Sequence, residues 1–260
     1  MASHLIKTTT TTLLLAAFVI TQPAHAMPSD SEGDLSSLAG TWYLRMRTAT
    51  DAKIPIIGTT HIKSTTHLLT EIMHSNGELL QRQKTCIVDS RPSRSITRTV
   101  LPQTFIDHLA VKSYPIEVLP GEDGKRLYRA DLKQQFVGYD GEKANGKMPE
   151  KASDPSVFDW DEDGDPGASV IINVPLFGRV RIYLVQTNHT VLTGTVVNPD
   201  RIEGTTQQLL LKQRTIGASN RLLAANPKLT IGKGHNRFEM MRTESGSTCA
   251  DVARLAEGTF

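Results

Sequence analysis

Four aspartates alternate along the stretch FDWDEDGDPGAS from Phe158 to Ser169: Asp159, Asp161, Asp163 and Asp165. Carboxylates at this spacing suit a hard divalent cation, because calcium takes roughly six to eight oxygen ligands. A D-x-D-x-D-G turn offers three carboxylates from one curl of backbone, and the glycine takes the positive φ of the sharpest bend. Asp159, Asp161 and Asp163 hold the first, third and fifth places, Gly164 the sixth, and Asp165 would supply the carbonyl of the seventh. Like charges packed this closely repel. At about 5 Å and an effective dielectric near 20, each adjacent pair costs about 3 kcal/mol, several-fold less when fully exposed. A cation among them removes that cost, whereas a solvated acidic turn would simply bear it, since Asp and Gly are ordinary turn residues. The spacing and the glycine together predict calcium, with Asp159, Asp161, Asp163 and Asp165 as its ligands and Trp160 turned away to pack on the body of the protein. Magnesium fits less well because it takes fewer protein ligands.

The pattern resembles the loops of EF-hand proteins and of other exported calcium-binding proteins, and then departs from the EF-hand. The twelfth place, a bidentate Glu in that family, is Val170, and Ala168 onward alternates as a strand does. No helix pair flanks the loop. A further ligand would therefore come from Asp165, from water, or from Asp154, Asp200 or Glu203. The role expected of the ion is structural, pinning the long segment before it to the strand after it.

The elements that must position this loop are strands. From Gly40, the run GTWYLRMR alternates with period two, placing Trp42, Leu44 and Met46 on one face and Tyr43, Arg45 and Arg47 on the other. Ser64–Ser75 and Glu78–Val88 flank Asn76-Gly77, the favoured two-residue hairpin turn. Further strands are expected at 97–105, 126–139, 168–174, 179–186, 190–197, 206–214 and 237–242, with a turn near Asn188-His189. Helix is scarce: Thr248 and Asp251 have the spacing of a capping box that would start a short helix, Cys249–Ala256. The polar segment from Asp140 to Pro155 reads as a long loop. Eight or so short-linked strands predict an all-β fold, an antiparallel up-and-down β-barrel, with a β-sandwich as the alternative.

Gly40-x-Trp42, after a short helical turn and at the head of the first strand, resembles the lipocalin signature. The resemblance implies a lipocalin-like barrel whose tryptophan closes one end, with an arginine near the last strand packed on it; Arg237 and Arg242 are both placed for that part. The insertion around residues 140–167 departs from a minimal lipocalin.

The N-terminus reads as a secretory signal peptide, residues 1–26. Lys7 provides a positive start, Leu13–Ile20 an apolar core, and Ala24-His25-Ala26 a small-x-small cleavage site. A disordered lead-in at 27–37 and one barrel domain at 38–260 with the calcium-loop insertion would follow. No cysteine marks a lipid-anchoring site, and no later apolar run is long enough to span a membrane as a helix. The formal charge of +2 argues against nucleic acid or a strongly anionic membrane as the main partner. Hydrophobic residues at 38% are enough for a real core. The two cysteines, Cys86 and Cys249, are expected to pair in an exported chain.

Chemistry beyond the aspartates is thin. The sequence contains no G-x-S-x-G elbow and no H-E-x-x-H. His61, His67, His74, His108, His189 and His235 are scattered, and only His61 and His67 are spaced to share a strand face. The expectation is an exported, periplasmic or secreted, calcium-binding β-barrel protein. It would be structural, or would bind a small apolar ligand or an envelope component. The alternatives are an exported hydrolase or isomerase on the same barrel, and a cell-surface adhesion or assembly module. Inward polar residues would favour the enzyme, a continuous apolar cavity the ligand binder, and a filled core the structural role.

Overall fold

The computed structural model of the chain describes residues 36–54, 58–93, 98–109, 111–174 and 178–258. The signal peptide and most of the lead-in expected at 27–37 lie outside the described residues. Eleven strands and two short α-helices follow one another: β1 (Gly40–Ile54), β2 (Gly58–Ser75), β3 (Glu78–Pro92), β4 (Arg98–Val100), α1 (Gln103–Asp107), β5 (Lys112–Pro120), β6 (Arg126–Val137), β7 (Ala168–Val174), β8 (Gly178–Asn198), β9 (Arg201–Ala218), β10 (Lys228–Ile231), β11 (Arg237–Arg242) and α2 (Cys249–Glu257).

Eight of the strands form a closed ring. β1, β2, β3, β5, β6, β8, β9 and β11 each pair antiparallel with the next, and β11 returns to β1. This is the up-and-down barrel expected from the alternation. Closure leaves no edge in the ring for another chain to extend. β8 is the longest strand and serves two neighbours on one side: Gly178–Leu184 pairs with β7, and Gln186–Val196 with β6. β4 extends β7, and β10 adds to the far end of β1.

Alternate residues fill the ring. Trp42, Leu44, Leu68, Ile72, Leu79, Ile116, Tyr128, Leu192, Ile202, Phe238 and Met240 make one buried cluster. A second cluster, Phe105, Val137, Ala168, Val170, Val180, Ile182 and Leu184, lies where β7 and α1 meet the first half of β8. The third, Tyr43, Cys86 and Val252, sits on the outer face under α2. A bulge re-aims the chain there: Leu68 faces Thr85 and His67 faces Ile87, so Cys86 is the extra residue of β3. Its Sγ stands 2.00 Å from that of Cys249, bonding distance, and α2 begins at that cysteine with the expected capping box of Thr248 and Asp251.

The G-x-W signature has a physical reason here. Trp42 is fully buried and its indole N–H donates to the Leu38 carbonyl at 3.0 Å. The guanidinium of Arg242 lies 4.4 Å from the Trp42 ring centroid. From there it donates to the carbonyls of Ala39, Ser37 and Pro199 at 2.9, 2.6 and 2.8 Å. Gly40 has φ +137°, and a Cβ there would meet Arg242 Nη1 at 2.5 Å, so only glycine lets the arginine pass. Strand register decides between the two candidate arginines. Arg242 stands opposite Trp42 and shares the inward parity of Phe238 and Met240, while Arg237 stands opposite Arg47 on the outer face.

Several expected boundaries were different. The strand expected at 97–105 is only Arg98–Val100; Pro102 then precedes the helical turn of α1, which buries Phe105. No turn interrupts β8 at Asn188-His189; opposite it, Leu209 is an extra residue in β9, a bulge rather than a chain reversal. β5 and β10 were not expected at all. Pro115 and Pro120 disguise β5 as a non-strand, yet its ladder to β6 begins at Ile116, one residue past the first proline.

Removing the Arg242 guanidinium should therefore cost more than its exposure suggests. Arg242→Ala is expected to lose about 2–3 kcal/mol in urea unfolding, from a cation–π contact and the carbonyls it leaves unpaired. Arg237→Ala should change stability by only about 0.5 kcal/mol. Equal losses in the two variants would show that the closing contact is not what holds this end.

Candidate metal site

Residues 138–167 leave the barrel wall after β6 and return to it at β7. They are tied within themselves. Tyr139 bridges to Val157, the Asp140 amide donates to the Ser156 carbonyl at 2.9 Å, and the Asp154 carboxylate accepts from the Ser156 amide and hydroxyl at 2.9 and 2.6 Å. Glu150 pairs with Arg214 of β9 at 2.9 Å. Two glycines let both ends lie against β8. A Cβ at Gly138 or Gly167 would come 2.5 or 2.6 Å from the Leu184 carbonyl oxygen, and both have positive φ.

At the end of this segment the aspartate loop closes on itself. The Trp160 amide donates to the Gly167 carbonyl, and the Gly167 amide to the Phe158 carbonyl, each at 2.9 Å. Inside that ring the Asp159 carboxylate accepts from the amides of Asp163 and Gly164, at 3.1 and 2.9 Å. Gly164 has φ +88° and Glu162 φ +55°, the left-handed turns that curl the chain around Asp159. One oxygen from each of Asp159, Asp161 and Asp163 then lies within 4.8 Å of the other two. That is the alternation read from the sequence made into a three-carboxylate cradle.

The three are not equivalent. Asp159 is exposed, whereas Asp161 is fully buried. Its Oδ2 accepts from the Ser169 amide at 3.1 Å, but its Oδ1 has no hydrogen-bond partner among the described residues. Burial pushes the Asp161 carboxyl above its ordinary range, and the Asp163 and Asp159 charges push the same way against the Ser169 bond. A buried carboxylate oxygen with no donor and two anionic neighbours is an arrangement a cation satisfies.

Asp165 stands differently. Arg181 of β8 brings its Nη1 to 3.0 Å from Asp165 Oδ2 and 3.9 Å from Asp163 Oδ2. The structure thus gathers Asp159, Asp161 and Asp163, and sets the Asp165 side chain against a guanidinium. Of the other candidates, Asp154 is taken by Ser156, Asp200 by Arg242 at 2.9 Å, and Glu203 by Arg201. Trp160 points away as expected, onto the second core cluster, 5.2 Å from the Phe105 ring centroid and 6.2 Å from that of His108. Sequence reading missed Arg181, Ser169 and His108. Register brings Arg181 here, opposite Ile171, and nothing in its spacing signals it.

The histidines do not gather. His61 and His67 share one face of β2, yet His61 pairs with Asp51 and His67 with the Tyr43 hydroxyl, each at 2.6 Å.

Neither a protein family nor a curated protein matches this sequence. Among solved structures, the chain is similar to DynF from the dynemicin biosynthesis pathway of Micromonospora chersina. The identity is 11% and the TM-score 0.36, over 80% of this chain and 82% of that one. A likeness that distant carries no functional argument, so the reading rests on the site itself.

The buried carboxylate gives a test with a definite sign. Asp161→Asn keeps an acceptor for the Ser169 amide and removes the charge. In chelator it should raise the melting midpoint by about 3 °C, by relieving repulsion in a buried setting. A lowered midpoint would show that the carboxylate is already neutralised from within the protein.

Proposed function

We propose that this chain is an exported protein, periplasmic or secreted, whose β-barrel at 38–260 forms one domain and carries a structural calcium site. Asp159, Asp161 and Asp163 hold the ion. Asp165 contributes its backbone carbonyl rather than its side chain, which Arg181 already engages. Water completes the coordination of a cation that needs more oxygens than three aspartates supply. The unpartnered Oδ1 of fully buried Asp161, between two other carboxylates, carries this reading. Calcium is preferred because the donors are all hard oxygens and three carboxylates with a backbone carbonyl are more protein ligands than magnesium usually takes. The consequence is mechanical. Gly167 and Ser169 bracket the junction of the insertion with β7, and an ion on Asp161 fastens that junction to the barrel. Export is supported by the order of the first 26 residues and by two cysteines at bonding distance.

A second reading concerns the barrel interior. One end is filled by Trp42 and its apolar neighbours. Among these neighbours, buried Thr70 Oγ1, which stands opposite Trp42, and Gln81 Nε2, Gln83 Oε1 and Thr206 Oγ1 have no partner among the described residues. Those unpartnered groups would suit a small hydrogen-bonding ligand better than the purely apolar one expected. Inward polar residues were the mark expected of the enzyme, but these are uncharged amides and hydroxyls, groups that bind rather than transfer protons. Burial pushes the Tyr114 phenol up to about 12 and the Tyr128 phenol higher still, so both stay protonated near neutral pH.

Two measurements test the calcium site together. Excess EDTA should lower the melting midpoint of the purified protein by several degrees, and millimolar calcium should restore it. Asp159→Ala and Asp161→Ala should abolish the response. Terbium, a calcium substitute, should luminesce on indole excitation through Trp160, and calcium should quench that signal. A midpoint indifferent to calcium, with no sensitised terbium emission, would reduce the aspartates to a solvated turn neutralised by Arg181.

A further inference from the structure

On the outer wall of the barrel, beside the C-terminal part of α2, β1, β2 and β3 enclose a cleft of about 220 Å³. Its lining is made by strand register. Arg45 stands opposite His67, Arg47 opposite Thr65, Thr65 opposite Asp89, and Lys63 opposite Arg91. All face outward, on the side of the sheet away from Trp42 and Leu44.

The charges do not balance. Arg45 is bonded to Glu239, and Arg91 Nε lies 2.7 Å from Asp89. Arg47 and Lys63 have no ion-pair partner among the described residues. Four of the side chains that line the cleft are cationic and one, Asp89, is a carboxylate; Glu239, which Arg45 meets, is shared with Arg201. Arg45 Nε, though buried, also has no hydrogen-bond partner among the described residues. The field is felt by its neighbours. Burial first, and then the charges of Arg45 and Arg237, push the Arg47 guanidinium down. His235 is pushed down by burial and by Lys63, Arg47 and Arg237. His67 is only 6% exposed, and its Nδ1 is fixed by the Tyr43 hydroxyl, which leaves Nε2 as the ring nitrogen available to a ligand in the cleft.

A concave site with two surplus cations, a buried unpaired guanidinium N–H and an oriented imidazole is built to receive oxygen atoms that carry negative charge. The geometry points to this cleft as a binding site for a small dianionic oxyanion, a phosphoryl group, held by Arg47 and Lys63 with Arg45 and His67 at its floor. This site is independent of the aspartate loop, which stands on other strands.

The test is titration of inorganic phosphate into the purified protein, followed by calorimetry and by thermal melting. The buffer is freed of metals by chelating resin and held at constant ionic strength with chloride. Saturable binding and a rising midpoint are expected, with no such rise from chloride or acetate. Arg47→Gln combined with Lys63→Gln should weaken binding at least about tenfold, roughly the loss of one charge-assisted contact. Without phosphate the double variant should melt no lower than the wild-type protein, because it relieves cation crowding. Tighter binding of a phosphomonoester such as glycerol phosphate would place the phosphoryl group on a larger molecule, whereas equal binding would point to free phosphate. No saturable heat from either probe up to about 10 mM, or unchanged affinity in the double variant and in Arg47→Gln alone, would overturn the assignment.

Discussion

A closed ring of strands stands or falls on the seam where its last strand meets its first. Here six residue pairs join β11 to β1, a ladder about as short as those from β9 to β11 and from β3 to β5, while β2 pairs along the whole length of β1. A short ladder needs help, and Arg242 provides it at the end where the chain enters the barrel. Its guanidinium ties the backbone of Ser37 and Ala39, before β1, to Pro199 in the β8–β9 turn, while its face lies on Trp42. One side chain therefore connects the first, eighth, ninth and eleventh strands. The glycine beneath it and the tryptophan beside it follow from that contact. Phe238 and Met240 are held inward by the same parity and complete the core.

With the ring closed, the length of β8 becomes available for something else. Its second half belongs to the barrel, and its first half carries β7, α1 and the insertion. The aspartate loop is thus mounted on the continuous backbone of a barrel strand. Its position is fixed by the approach of Gly138 and Gly167 to the Leu184 carbonyl, which no residue with a Cβ could make. Trp160 seats the loop from the apolar side through Phe105. Asp161 is fully buried in this mounting, with the Ser169 amide on one oxygen. Its other oxygen has no donor among the described residues, which is the costly state for a buried carboxylate.

The readable parts of this molecule were those where local chemistry and final structure coincide. Alternation in the first strand placed Trp42, Leu44 and Met46 inside because a strand's period is two whatever it packs against. Asn76 and Gly77 have φ of +53° and +82°, the turn their types require. The aspartate spacing became a cradle because it depends only on nearby backbone. The unread parts depend on register. Arg181 reaches Asp165 through the β7–β8 ladder, and Arg47 meets Lys63 and Arg91 only once three strands are side by side. β5 hid behind two prolines, and His189 looked like a turn because Asn-His favours one, yet it lies within β8, where its Nε2 sits 2.7 Å from Asp131. Bulges add to the difficulty. At Cys86, and at Leu209 opposite the His189 region, a single extra residue changes which way the chain faces, and no periodicity announces it.

Register also explains why a chain of formal charge +2 keeps strong local fields. The acidic loop sits at β7 and the first half of β8, and the basic cleft on β1, β2 and β3. Round the wall from β1, β8 lies beyond β11 and β9. At about 4.8 Å per strand that separation exceeds the screening length of roughly 8 Å at physiological salt. Neither cluster can neutralise the other. Each must find its counter-charge nearby, and the wall supplies only part of it: Arg181 for the aspartates, Asp89 and Glu239 for the arginines. The remainder has opposite sign at the two places. The barrel wall holds the two apart, so each imbalance stays at its own face, negative at the aspartate loop and positive at the cleft.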